Sequence, residues 1–206
     1  MAGAGAPSRP RAGESAIENL ALFPLNTVLF PGGRLPLRIF EQRYMEMAKV
    51  CLRDSQPFGV CLIREGSEVG APAVPVEVGC LARIGAWDMP QLGVLQITAH
   101  GESRFRILEH RIEASGLQRA TVELIAQDTD APIPDDCRRC VELLSRVLDQ
   151  QAALFDSPRL ESSSWVGSRL AEILPLPHIA KQELLELADA RSRLQRINAL
   201  LGAQAS

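Results

Sequence analysis

Three prolines spaced along the stretch from Leu20 to Met47 constrain the fold of this chain more than any other feature. The stretch reads LALFPLNTVLFPGGRLPLRIFEQRYMEM. Pro24, Pro31 and Pro36 each lack an amide donor and bias the preceding residue away from helix, so we expect this backbone along sheet edges and bends. The glycine pair that follows Pro31 predicts a turn.

The spacing of apolar residues changes just after this turn. Alternate residues from Leu35 to Ile39 are apolar, and this period of two predicts a strand with one face toward a core. From Glu41 onward the apolar residues instead follow one helical stripe, which comprises Tyr44, Met47, Ala48, Cys51 and Leu52. The sequence therefore predicts a helix over residues 41–54 that ends before Pro57.

The next seventy or so residues have the pattern of strands and turns. Strands are predicted over residues 57–64, 76–87, 92–99, 103–108 and 117–126, with turns at 88–91 and 100–101. Short strands separated by turn residues at roughly ten-residue spacing predict a barrel or a sandwich. Alternation in the fourth of these strands places Phe105 inside and both Arg104 and Arg106 outside.

From Pro132 the composition changes and helical periodicity replaces alternation. Helices are predicted from Pro134 to about Phe155, after the serines at 162–164, and from Pro177 to Gly202, the last with an outward Asp189–Arg193 pair. We therefore expect a disordered tail over residues 1–16, a β-barrel subdomain over 17–130 and a helical subdomain over 131–203.

Composition and charge exclude several classes of protein. The chain has 206 residues, of which 46% are hydrophobic and 23% charged, a profile typical of a globular domain. Its net charge of −3 provides no general attraction to nucleic acid or to anionic lipid. No window approaches the roughly 20 apolar residues of a membrane helix, and no export signal is recognisable. These features predict a cytoplasmic protein without a membrane partner.

The five cysteines predict reduced thiols, because their number is odd and no export signal accompanies them. Cys137 and Cys140 form a C-x-x-C pair, which is half of a zinc site. No second pair of ligands accompanies it, and the same spacing places both thiols on one apolar helix face. The sequence therefore favours buried thiols over a metal site.

Three motifs in order along the chain resemble the amino-terminal, substrate-binding domain of the Lon protease family. They are FPL followed by PGG and LPLRIFEQRYMEM, then GCLARIGAWDMPQLGVLQITAHGESRFRI, and finally LPLPHIAKQELLELADARSRLQRINALL. The resemblance covers about residues 19–202. It implies an α+β, mainly β fold: an open PUA-like β-barrel with one embedded helix, followed by a C-terminal helical segment.

Catalytic groups of a complete Lon protease are not recognisable here. The sequence has no G-x-x-x-x-G-K-[ST] phosphate loop, and its only lysines, Lys49 and Lys181, are expected to be solvated. His100, His110 and His178 lack a serine, cysteine or carboxylate partner that the sequence can place beside them. We therefore predict a protein that is not an enzyme and that carries no cofactor and no metal.

The resemblance implies that the chain binds polypeptide without catalysis, as a stand-alone substrate-binding domain in the cytoplasm. Unfolded or exposed segments are the predicted partners, and a separate ATPase or protease is a candidate partner. Two alternatives stay open. An RNA-binding PUA-like barrel requires that folding gathers the arginines into a patch. A small hydrolase requires a histidine and a carboxylate together in a deep pocket.

The predicted binding surface lies where the strand meets the first helix. Side chains there change from alternation to a helical stripe, so they cannot all point inward. Exposed aromatic side chains are enriched in recognition surfaces. The candidate residues are Arg38, Phe40, Glu41, Arg43 and Tyr44, with Trp87 added as an anchor at the predicted turn near Pro90. The competing interpretation makes Glu41 and Arg43 a pair at the helix start and Phe40 and Tyr44 core residues.

Overall fold

The computed structural model describes residues 16–151, 154–155 and 157–203. The tail predicted over residues 1–16 lies outside the described residues except for Ala16, where the first strand begins. The strands are β1 Ala16–Leu25, β2 Arg34–Ile39, β3 Phe58–Glu65, β4 Val74–Gln91, β5 Val94–Ile112 and β6 Gln118–Leu124. The α-helices are α1 Gln42–Asp54, α2 Arg138–Gln150, α3 Ser163–Ile173, α4 His178–Glu186 and α5 Ala190–Ala203, and a 3₁₀ turn, Asp135–Cys137, precedes α2.

The six strands form one strongly curved sheet in the order β2-β5-β4-β3-β1-β6. β1 and β3 are parallel, and the other neighbours are antiparallel. The curvature brings β6 against the distal half of β5 as well as against β1. This arrangement, with α1 embedded between strands and helices after them, confirms the predicted α+β fold with an open, barrel-like sheet.

Two predicted turns are wrong, because β4 and β5 are longer than the sequence pattern indicated. β4 continues through residues 88–91, and the hairpin turn is at Leu92 and Gly93, where Gly93 has φ +81°. β5 runs uninterrupted through His100 and Gly101. A Cβ on Gly101 would lie 2.2 Å from the carbonyl oxygen of Phe30, so this glycine permits a close approach of two backbones instead of a turn.

The α1 helix begins at Gln42 and covers one end of the curved sheet. Tyr44, Met47, Ala48 and Cys51 are buried, in agreement with the predicted stripe. The ring of Tyr44 stacks on that of Phe23, with centroids 4.1 Å apart. These contacts make α1 part of the main core between the helix and the concave face of the sheet.

Helices α2, α3, α4 and α5 pack together and share a second core with the sheet. Phe30, Leu62 and Val78 from the β-rich half lie in this core, beside helix residues such as Leu144 and Leu194. The predicted single last helix is wrong, because it breaks between α4 and α5 at residues 187–189. The break leaves backbone carbonyls without helical partners, and buried arginine side chains donate hydrogen bonds to these carbonyls.

A buried ionic network explains this break and corrects two predictions about arginines. Asp128 accepts hydrogen bonds from Arg104, at 2.6 Å, and from Arg193. Arg104 also donates to the carbonyl of Leu187 at 2.6 Å, and Arg193 donates to the same oxygen at 3.1 Å. Arg104 is therefore buried, contrary to the simple alternation, because the helices cover that face of β5. Arg193 pairs with Asp128 and not with Asp189.

The predicted turn at Pro31 and Gly32 is present, and α3 holds it against β5. Arg169 donates to the carbonyls of Gly32 and of Pro31, the latter at 2.7 Å. The amide of Gly32 donates to the carbonyl of Gly101 at 2.8 Å, and the amide of Gly101 donates back to Gly33 at 2.9 Å. The helical segment is thereby connected to the base of β2 through this turn.

Among the residues that the structure describes, none of the helices has the length and apolarity needed to span a membrane.

Candidate functional site

A three-stranded ribbon is formed by β2, residues 83–91 of β4 and residues 94–100 of β5. β3 accompanies β4 only as far as Ala82, which pairs with Phe58. Beyond that point β4 pairs with β5 alone, and β5 pairs with β2 on its other side. The ribbon therefore extends from the curved sheet and ends at the Leu92–Gly93 turn.

Strand pairing assigns each side chain of the ribbon to one of two faces, because directly paired residues share a face. Three cross-strand rows lie on the outer face. They are Arg34–His100–Arg83, Pro36–Thr98–Ala86 and Arg38–Gln96–Asp88. The opposite face carries the buried residues Leu95, Ile97 and Ala99 of β5 and continues into the main core.

Trp87 extends the apolar face beyond the core. It pairs with Ile97, which in turn pairs with Leu37, so the three side chains share the core-facing side of the ribbon. Ile97 is 3% exposed, whereas Trp87 is 60% exposed because no further strand or helix covers β4 there. Met89 and Leu92 are also exposed, so the apolar strip continues to the hairpin tip.

An open depression of about 380 Å³ lies on the ribbon. Its lining includes the short side chains Pro36, Thr98 and Ala86, with Arg38 and Asp88 from the neighbouring row. The Asp88 carboxylate accepts a hydrogen bond from the amide of Met89 at 2.8 Å. Arg38 is exposed, and no hydrogen bond or ion pair joins its guanidinium to any described residue. A shallow surface of this kind suits an extended ligand better than a compact small molecule.

The structure separates the predicted surface residues into two groups. The side chain of Arg38 lies on the outer face, that of Trp87 projects from the opposite face of the ribbon, and Phe40 is 53% exposed just beyond the end of β2. Arg43 and Tyr44 are buried, and Glu41 is half-buried. Arg43 pairs with Glu41 at 2.9 Å and lies over the Tyr44 ring at 4.7 Å. These contacts agree with the competing interpretation for the Glu41–Arg43 pair and for Tyr44 as a core residue, whereas Phe40 is exposed and not part of the core.

Met89 and Leu92 belong to the exposed strip and were not predicted. The sequence places a turn at residues 88–91, which conceals the fact that the strand continues and presents two more apolar side chains. The residue in the sequence that could have revealed the true turn is Gly93, since glycine supports the positive φ that a two-residue hairpin turn requires. Placing the turn there would have extended β4 to Gln91.

The candidate catalytic lysines are engaged in structural contacts. Lys49 pairs with Glu46 at 2.8 Å on the exposed side of α1. Lys181 is half-buried and donates to the backbone carbonyl of Glu172 at 2.6 Å, so the prediction that it is solvated is wrong. Burial lowers the pKa of Lys181, although the nearby Glu172 acts in the opposite direction. Neither lysine has a serine as its hydrogen-bond partner.

The cysteines and the two arginines of β5 do not form a second candidate site. All five cysteines are free and buried, and burial raises the pKa of each thiol, for Cys137 to about 11 and for Cys140 to about 12. No group of three or more potential metal ligands is found in the described part of the chain. Arg104 is buried and Arg106 lies 3.8 Å from Glu77, so these arginines do not form a common patch.

A second cavity, of about 300 Å³, lies between β5 and the start of α3. Polar side chains dominate its lining, which includes Ser103, Asp128, Asp130, Arg159 and Ser162. No histidine lines it, and Asp128 is already paired with two arginines. This cavity therefore lacks the histidine–carboxylate pair that a hydrolase would need.

Comparison with known proteins gives one consistent family. A family model described as the ATP-dependent protease La (LON) substrate-binding domain matches residues 19–203. A Lon protease of Anaeromyxobacter dehalogenans is 27% identical over 222 residues, covering 97% of this chain and 26% of that protein. Lon protease 2 of Myxococcus xanthus is 27% identical, covering 88% of this chain and 23% of that protein. The chain thus spans about a quarter of the length of these curated relatives.

Solved structures agree with the family match. A Lon N-terminal domain protein from Xanthomonas campestris superposes with a TM-score of 0.76 at 35% identity, covering 89% of this chain and 98% of that one. The N-terminal domain of a Mycobacterium avium complex Lon protease has the same fold, with a TM-score of 0.58 at 18% identity over 88% of this chain and 96% of that one.

Proposed function

The chain belongs to the family of ATP-dependent protease La (LON) substrate-binding domains, and from this premise we propose that it binds unfolded or exposed polypeptide segments without catalysing a reaction. The observation that carries the proposal is the exposed apolar strip on the ribbon. Residues 85–93 form a continuous exposed run that includes Trp87, Met89 and Leu92. Contiguous apolar side chains on a surface are typical of sites that bind other chains.

Trp87 is the central residue of this proposed site. A tryptophan contributes a large apolar area with few rotatable bonds, and such residues dominate the binding energy of many interfaces. Phe40 and Arg38 lie at the opposite edge of the ribbon and offer aromatic and charged contacts to another part of the same unfolded chain. A long unfolded chain can reach both edges, because its side chains are not committed to a core of their own.

The proposed role is that of a binding module that supplies no chemical step. The lysines are engaged in structural contacts, the thiols are buried, and the sequence contains no phosphate-binding loop. We propose that any ATP hydrolysis or proteolysis linked to binding is performed by a separate ATPase or protease. Purified chain is accordingly expected neither to hydrolyse ATP nor to degrade casein.

A binding titration with a permanently unfolded polypeptide, such as reduced and carboxymethylated lactalbumin, tests the proposal. Trp87→Ala should weaken binding at least tenfold, about 1.4 kcal/mol, while the thermal midpoint stays unchanged. Ile179→Ala is the matched control, since it removes an exposed side chain from α4, away from the ribbon. Equal affinities of the wild-type and Trp87→Ala proteins would place polypeptide binding elsewhere.

A further inference from the structure

We propose that the polypeptide binds by adding a strand to the free edge of β4 between Gly85 and Met89. This inference rests on the proposed function and specifies its mode of recognition. Strand addition joins two chains through backbone hydrogen bonds, and neighbouring side chains then adjust the preference for particular residues. The argument depends on which edge is free, which way its backbone groups point and what surrounds them.

The edge of β4 is free from residue 83 onward in the described part of the chain. β3 pairs with β4 up to Ala82, and among the described strands residues 83–91 pair only with β5. The residues from Gly85 to Gly93 are exposed without interruption. A strand edge in this state presents unpaired amides and carbonyls, which are a template for another extended chain.

The pairing of Pro36 with Thr98 shows which backbone groups of β4 point outward. Because Pro36 has no amide proton, its pair with Thr98 cannot be a hydrogen-bonded one. The hydrogen-bonded pairs of β2 and β5 therefore include Leu37 with Ile97. Thr98 then directs its amide and carbonyl to Ala86 on the other side. Trp87 follows Ala86, so its own amide and carbonyl point away from β5 to the free edge.

Near the hairpin, the backbone amides of this edge are not available to pair with an added strand. The Asp88 carboxylate already accepts the amide proton of Met89, at 2.8 Å. Pro90 has no amide proton to offer. Natural sheets use charge and proline in this way to limit pairing of their edges. Gly85 is the extra residue of a register shift between Ile84 and Ala86, so the alternation does not assign its amide. The amide and carbonyl of Trp87 are left available on a short segment, which has room for a few residues of a bound strand.

The side chains along the segment favour an apolar polypeptide as the occupant. Trp87 and Met89 alternate along β4, so both flank an added strand on the same face. The opposite edge, on β2, is less suitable for such a segment, because Arg38 and Pro36 occupy it. A second copy of this chain is also a poorer occupant. Symmetric pairing centred on Trp87 would set Gly85 against Met89, whose amide is already bonded to Asp88.

Residue-resolved amide hydrogen exchange, with and without reduced and carboxymethylated lactalbumin, tests this mode directly. The amide of Trp87 should become at least tenfold more protected in the complex. The amides of Ala86 and Asp88 serve as internal controls, since they already face β5 and should not change. A pair of variants adds an independent readout: Trp87→Pro removes both the side chain and the amide proton, whereas Trp87→Ala removes only the side chain. Trp87→Pro should therefore bind at least threefold more weakly than Trp87→Ala.

The outcomes separate the mode from the function. Binding that depends on the Trp87 side chain but leaves the Trp87 amide unprotected overturns strand addition and leaves the proposed function intact. Protection that appears with increasing protein concentration alone identifies a second copy as the occupant and overturns the choice of polypeptide. Absence of any polypeptide binding removes the proposed function and this inference with it. Should Trp87→Pro fail to fold, the exchange measurement on the wild-type protein decides.

Discussion

The Glu172 carboxylate occupies the space in which a side chain at Gly33 would begin. Its Oε1 lies 1.7 Å from the position that a Cβ on Gly33 would take. Arg169 lies 3.3 Å from the same oxygen and also donates to the carbonyl of Pro31. The glycine that follows the turn is therefore required by α3, which is distant in sequence, as well as by the local backbone.

Gly33→Ala should destabilise the protein by about 1 to 3 kcal/mol, because the new methyl group must displace the buried carboxylate. The free energy of unfolding in urea measures this cost. Glu172→Ala in the same chain should recover part of it, giving a coupling energy between the two positions. Recovery stays partial, since the carbonyl oxygen of Phe30 lies only 2.9 Å from the same Cβ position. If the two substitutions changed the free energy of unfolding in a strictly additive way, the contact between Glu172 and position 33 would be contradicted.

Stability should depend on pH through Glu172. Burial raises the pKa of this carboxyl from 4.5 to about 7, although Arg169 and Lys181 act in the opposite direction. The folded state therefore binds the proton more tightly than the unfolded state, and stability falls as pH rises from about 4.5 to about 7. We expect a loss on the order of 1 to 3 kcal/mol across this window. Glu172→Gln should abolish this part of the pH dependence, as measured by urea unfolding at pH 5 and pH 8.

Asp128→Asn should be among the most damaging single changes on the β5 side of the helical segment. It preserves the shape of the side chain but leaves Arg104 and Arg193 buried without a counter-charge, at a cost of about 3 to 5 kcal/mol. Asp189→Asn is the control, because Asp189 is exposed and accepts the amide of Ser192, at 2.8 Å. An asparagine side chain accepts such a backbone hydrogen bond nearly as well as an aspartate side chain does. Equal costs for the two variants would mean that Arg193 depends on Asp189 after all.

The buried thiols should be chemically inert in the native protein. Because burial raises the pKa of Cys137 to about 11 and that of Cys140 to about 12, both remain protonated at pH 8. A thiol reagent should label them only after unfolding, and a strong chelator should leave the thermal midpoint unchanged. Replacing both by Ala should cost about 1 to 3 kcal/mol through lost packing. Stoichiometric zinc in the purified protein would contradict this interpretation.

Much of the fold could be predicted from the sequence, because its determinants are local. Alternation from Leu35 to Ile39 identified β2, the stripe from Tyr44 to Cys51 identified α1, and Ser162 caps α3 by accepting the amide of Trp165 at 3.0 Å. The motifs also identified the family. These features depend on neighbours three or four residues away, and a sequence displays such neighbours directly.

The candidate site was predicted only in part, because its composition depends on how distant strands are paired. Trp87 and Arg38 were chosen for their residue types, and only the register between β2, β5 and β4 shows that both lie on one ribbon with their side chains on opposite faces. Tyr44 was chosen on the same grounds, and its stacking on Phe23 places it in the core. Met89 and Leu92 went unrecognised because the hairpin turn lies further along the chain than its proline indicates.

The sequence by itself determined where most strands and helices lie and which family the chain resembles, but not the full length of β4 and β5 or the break between α4 and α5. The tertiary structure decided which faces of those segments are covered. Arg104 follows the alternation of an exposed side chain and is nevertheless buried, since helices that begin more than thirty residues later pack on β5 and Asp128 supplies its counter-charge. Trp87 points to the core-facing side and is nevertheless exposed, because β3 ends before reaching it. Burial is a property of what packs on a residue, and no local pattern contains that information.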